Sequence, residues 1–278
     1  MTRRPALLTV PFLFAPIAPI AMVGMVGCDA EQPATRSEMR EAVAEVALLG
    51  EGIGTQTEIV ELTTSFTLGQ GAQAVAEEVR SFVASQIECS EVAVEPGKIS
   101  IDFGDLSDSC TYRGRTYAGV VTVQFEDMGD TFMVTHTYEG LTGGRTTLDG
   151  QVVVHWDGNV RHVVTDLDFV GDMGSVNVTA DRTQTFTACE GVTAVCLTVE
   201  GERDWTGPRG TWETDILDVH MRSIDPVPEQ GTYAITTPKD KTVELSFSRV
   251  DSDTIEVSVT GGRRPFVFHV TASGQVMD

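Results

Sequence analysis

Tyr117-Ala118-Gly119-Val120-Val121-Thr122-Val123-Gln124-Phe125-Glu126 is the stretch on which the fold turns. Val121, Val123 and Phe125 alternate with Thr122, Gln124 and Glu126, a period of two that leaves one strand face dry and the other wet. The pattern has an echo thirty residues on. Gly114-Arg115-Thr116 and Gly119 precede the first alternation, and Gly144-Arg145-Thr146 and Gly150 precede a second, in which Val152, Val154 and Trp156 alternate with Val153, His155 and Asp157. One hairpin unit is used twice. Leu141-Thr142-Gly143-Gly144 supplies a loose reversal, and Asp157-Gly158 reads as a two-residue turn, which would set His155 opposite Val160 and His162 opposite Val153. From Ile99 to Phe169 the chain therefore reads as antiparallel hairpins.

The N-terminus obeys a different grammar. Arg3 and Arg4 precede an apolar run from Ala6 to Val26, interrupted by Pro11, Pro16 and Pro19, and the run ends Val26-Gly27-Cys28. A charged start, an apolar middle and a small residue before the cleavage point describe an export leader over residues 1–27. The interior prolines argue against a permanent spanning helix. Val26-Gly27-Cys28 resembles the lipobox of bacterial lipoproteins. That resemblance implies acyl chains on Cys28, a membrane partner reached through that anchor, and a place in the cell envelope. Asp29 resembles the inner-membrane retention signal of enterobacterial lipoproteins, and the choice of membrane stays open.

Losing Arg3 and Arg4 with the leader takes the net charge from −22 to −24. Such an excess disfavours nucleic acid and anionic lipid headgroups as partners and suits a solvated, acidic surface. Beyond Cys28 four cysteines remain, Cys89, Cys110, Cys189 and Cys196. An even number in an exported chain points to disulfides, and proximity favours Cys89 with Cys110 and Cys189 with Cys196 among the three possible pairings. Zinc is the rival reading, but no Cys-x-x-Cys spacing is present.

Residues 28–36 read as a lipidated tether, 37–225 as helices followed by an antiparallel β domain, and 226–278 as C-terminal hairpins that either continue the sheet or form a small subdomain. A capping box from Thr35 to Glu38 starts a helix that Gly50 is expected to stop. A loop over Glu51–Thr57, a strand over Glu58–Leu68 and a second helix over Gly71–Ile87 should follow. After Pro96-Gly97 some twelve strands run to Ala272, with Pro226 and Pro228 as a linker. The expectation is a mainly β protein, a large twisted antiparallel sheet, partly rolled or two-layered, carrying two N-terminal amphipathic helices.

Ile101-Asp102-Phe103-Gly104, Cys110, Gly114-Arg115-Thr116, Gly119 and Arg203-Asp204-Trp205-Thr206-Gly207 together resemble β-rich envelope lipoproteins of Gram-negative bacteria. The resemblance implies fold and address, and no activity comes with it.

Signals for chemistry are sparse. The nucleophile-elbow, zincin and P-loop motifs are absent, and no cofactor is implied. His155 and His162, with Asp166 or Asp168, would suit a metal if they met; solvent-facing strand positions are the plainer account. Asp102, Asp105 and Asp108 share a loop of the kind calcium needs, although Asp is also a natural turn residue. Trp156, Trp205, Trp212, Tyr112, Tyr117 and Tyr138 would make a glycan or peptide platform if they lay outside the core. The leading expectation is a non-catalytic envelope lipoprotein whose sheet serves as a binding or structural scaffold, its partner an envelope protein, a glycan or an apolar ligand. A carrier of lipid or another apolar ligand and an envelope hydrolase are the alternatives.

Overall fold

The computed structural model describes residues 32–278 apart from 65, 67–69, 109, 113–114, 130, 172–173, 190–194, 223–224, 226, 273 and 278. The leader, Cys28 and Asp29 therefore lie outside the described residues, as do Leu68, Gly114 and Pro226. Residues 32–278 make one compact unit with its own core.

Helix α1 spans Arg36–Thr63 and α2 spans Ala72–Gln86. Strands follow as β1 (Glu91–Glu95), β2 (Lys98–Asp102), β3 (Cys110–Tyr112), β4 (Arg115–Asp127), β5 (Phe132–Thr142), β6 (Thr147–Asp157), β7 (Val160–Gly171) and β8 (Gly174–Ala188). They continue as β9 (Val195–Gly207), β10 (Gly210–Arg222), β11 (Gln230–Thr236), β12 (Thr242–Arg249), β13 (Thr254–Thr260), β14 (Phe266–Thr271) and β15 (Val276–Met277). All pair antiparallel in chain order, except that β3 stands off the path against β4 and β2 pairs β4 directly. The sheet passes without a break from β10 to β11 across the proline segment. The large antiparallel sheet expected is present as one fifteen-stranded sheet that is not closed into a barrel, and the C-terminal hairpins continue it.

Several expectations need correction. Gly50 does not end the first helix, Glu51–Thr57 is no loop, and the strand at Glu58–Leu68 does not form, because helix continues to Thr63. Thr57, Ile59, Val60 and Thr63 are strand-forming by type. Their burial keeps a helical spacing nonetheless: Gly52, Thr55, Gln56, Ile59, Val60, Leu62 and Thr63 all face inward. The first strand expected after Pro96-Gly97 forms as β2, but its hairpin partner β1 and the short β3 were not foreseen; exposed Glu91 and Glu95 flank the small Ala93 and hide the pattern of β1. The turn after Trp156 is shifted by one residue. Gly158, at φ +61°, and Asn159 form the loop, so Asp157 pairs with Val160 and His155 lies directly opposite His162.

The repeated unit is visible in the packing. Gly119 and Gly150, at φ +98° and +121°, would each drive a Cβ to within 2.4 Å and 2.5 Å of a carbonyl on the neighbouring strand, so only glycine fits. Two, four and six residues beyond each, Val121, Val123 and Phe125, then Val152, Val154 and Trp156, turn toward the core.

α1 lies across the strands on that apolar face and meets them in reverse order. Glu38 reaches Lys239 and Lys241 beside β12, Glu45 meets Arg209 between β9 and β10, Gly52 touches Phe169 of β7, and Glu58 accepts from Tyr117 of β4. From Glu38 to Glu58 the helix advances about 30 Å. The eight strand steps from β12 to β4 measure about 38 Å along the sheet. The sheet is therefore bowed over the helix. Met39, Ala42, Leu49 and Ile59 fill the space beneath it, and α2 covers β1, β2 and β4 with Val75, Val79 and Val83.

Candidate functional site

The face under α1 is not uniformly apolar. Strand alternation brings Arg161 of β7, Arg182 of β8 and Arg203 of β9 to inward-facing positions. Their registers, Arg161 opposite Gln184 and Arg182 opposite Gly201, place successive arginines diagonally across neighbouring strands. Arg161 is only 2% exposed; it donates to Glu61 of α1 and to Gln184, and its guanidinium lies over the rings of Trp156 (5.4 Å) and Phe186 (4.7 Å). Arg182, also buried, donates to Thr165 Oγ1 at 3.3 Å, and its pKa is pushed down by burial and by its two cationic neighbours. Burial depresses Arg203 as well, with Tyr233 opposing.

A second polar anchor sits further along the helix. The Thr63 hydroxyl donates to the Ile59 carbonyl at 2.7 Å, so it accepts from His136 Nε2, also at 2.7 Å. His136 is fully buried, and desolvation lowers its pKa to about 3, which keeps the ring neutral. Tyr117 donates to Glu58 at 2.6 Å, and burial beside that carboxylate raises the phenol's pKa. Together these contacts fix how α1 sits on the sheet. Arg161–Glu61, Thr63–His136 and Tyr117–Glu58 each join α1 to a different strand of the sheet.

The residues singled out from the sequence are dispersed. Cys89 is joined to Cys110 and Cys189 to Cys196, with Cα atoms 5.4 Å and 5.0 Å apart, and the first bridge ties the segment after α2 to β3. Asp102 caps its own turn by accepting from the Gly104 amide at 2.8 Å, while Asp105 contributes its carbonyl to the Asp108 amide at 2.9 Å. All three carboxylates are exposed. The rings of His155 and His162 lie 6.4 Å apart and tilted on the solvent face, and His162 pairs with Asp181 rather than with Asp166 or Asp168, which both bond Asn177. Among the described residues no group of three or more His, Cys, Asp or Glu is arranged to hold a metal ion.

The aromatic platform is overturned. Trp205 and Trp212 stack face to face at 5.9 Å inside the core, Tyr112, Tyr117 and Tyr138 are buried, and Trp156 is sandwiched with Phe186 and Arg161.

The arginine diagonal went unforeseen, yet the sequence carries its signal: Arg161 has the parity of Val163 and Leu167, and Arg182 that of Val178 and Ala180. No family model, curated protein or solved structure matches the chain. The resemblance to β-rich envelope lipoproteins thus stands on the sequence features alone.

Proposed function

We propose that this protein is an envelope lipoprotein, held to a bilayer by acyl chains on Cys28, whose sheet serves as a non-catalytic scaffold for a partner in the envelope. One observation carries the scaffold reading over the carrier: the concave face, where an apolar ligand would have to lie, is occupied by α1 and by interior side chains such as Met39, Ile59, Phe169 and Trp205. The anchor half rests on the Val26-Gly27-Cys28 ending, and the early docking of the chain is consistent with it. The Ala34 amide donates to the Gly261 carbonyl at 2.9 Å, only six residues after Cys28.

Native mass spectrometry of the protein extracted from its host's membranes, after a high-salt wash that strips lipid held only by headgroup charge, tests both halves. The expected species begins at an acylated Cys28 and carries no further lipid. An unmodified Cys28 overturns the anchor, and a stoichiometric bound lipid overturns the scaffold in favour of the carrier.

A further inference from the structure

We propose that the cleft at the start of α1 binds the phosphoryl headgroups of anionic phospholipids, so that the body as well as the tether engages the bilayer surface. This rests on the anchored reading above for its geometry.

The cleft, about 670 Å³ and open to solvent, is formed where the incoming chain docks on the sheet. Gly262 permits that docking: a Cβ there would fall 2.8 Å from the Ala34 carbonyl oxygen and from Met39 Sδ. Among the described residues lining the cleft, four are cations, Arg36, Lys241, Arg263 and Arg264, and none is a carboxylate. In a chain with 41 acidic side chains against 19 basic ones, this is a local inversion of charge. Lys241 is engaged at 2.9 Å by Glu38, through the same carboxylate oxygen that closes the capping box on Thr35. Arg263 and Arg264 are exposed and make no ion pair among the described residues; Arg36 is held over the ring of Phe266 at 5.9 Å.

Chain length says what meets this surface. Four residue steps separate Cys28 from Gln32, which lines the cleft, and a fully extended chain covers at most about 14 Å in four steps. With Cys28 in the bilayer, the cleft is kept within about two Debye lengths of the headgroups. Anionic headgroups supply the complementary charge, and Pro265 and Phe266 supply an apolar rim at the interface. The net charge of the whole chain conceals this patch, because the acidic excess lies elsewhere.

Co-sedimentation with vesicles tests the proposal without the anchor. Both the compact unit 32–278 and the chain from residue 28 carrying Cys28→Ser are mixed with vesicles of phosphatidylcholine alone or with about a third phosphatidylglycerol. Each is expected to sediment only with the anionic vesicles, and less as salt rises. At roughly five-fold per cation near an anionic surface, the double variant R263Q/R264Q should bind about 25-fold more weakly. Equal sedimentation with both vesicles, no sedimentation with either, or anionic binding that survives R263Q/R264Q would overturn it. So would binding by the compact unit that vanishes in the longer chain, since Asp29 and Glu31 of the tether would then be the occupant. Because acylation is read separately by mass, failure of the cleft and failure of the anchor are distinguishable.

Discussion

Gly50 and Gly52 sit two residues apart in α1 and answer to different forces. A Cβ at Gly50 meets nothing within 4 Å, whereas one at Gly52 lands 2.9 Å from the ring of Phe169. Alanine is the better helix former by about 1 kcal/mol, so Gly50→Ala should stabilise the fold by about 0.5–1 kcal/mol. At Gly52 the overlap with a packed ring outweighs that gain, and Gly52→Ala should destabilise by about 1–2 kcal/mol. Urea unfolding of the two variants decides; an equal gain at both sites would mean that the helix is not pressed against β7. His136 gives a pH signature at the same scale. The native ring resists protonation down to about pH 3, while the unfolded ring takes a proton near 6.5. Stability is therefore whole above pH 6.5 and falls as pH drops toward 3, by up to about 1.4 kcal/mol per unit. Between pH 6.5 and 5 this slope should be lost in His136→Gln, and a variant that keeps it would show the histidine to be hydrated.

Among the elements, the outer faces of β8, β9 and β10 carry a row of acidic side chains. Asp181, Glu202 and Asp215 stand directly opposite one another across three strands, all exposed. Alongside, Asp204 faces Glu213, and burial followed by the nearby carboxylates raises its pKa. Like charges at cross-strand positions repel, so Glu202→Gln should raise stability by about 0.5–1 kcal/mol in low salt, with the gain shrinking as salt screens the row. Thermal unfolding at two ionic strengths checks this, and a loss of stability would mean that the row holds a counterion. These strands were legible because each side chain's parity follows from the pleat, whatever its chemistry. α1 was misread for the same reason: β-branched Ile59, Val60 and Thr63 advertise strand by type, and only their spacing, anchored by a glycine that lets the helix approach Phe169, says helix.

For the molecule as a whole, architecture was readable and the site was not. Antiparallel order, two helices and the cysteine partners depend on neighbours near in sequence, which periodicity and proximity report. The buried arginine diagonal and the cationic cleft depend on which distant segments the bowed sheet brings together. Arg161 finds Glu61 a hundred residues away, and Arg263 and Arg36 share a cleft through the docking of Ala34 on the β13 end.

The order in which the pieces meet also sets an order in time. Each strand from β4 onward finds its partner in the next hairpin, so the sheet can zip as it lengthens, with short loops to close. The helix has no such neighbour: Glu38 waits for Lys241, 203 residues later. A polypeptide made from its N-terminus completes α1 before any strand it will touch. The helix that spans the sheet is thus synthesised early and fully seated only once β12 has formed.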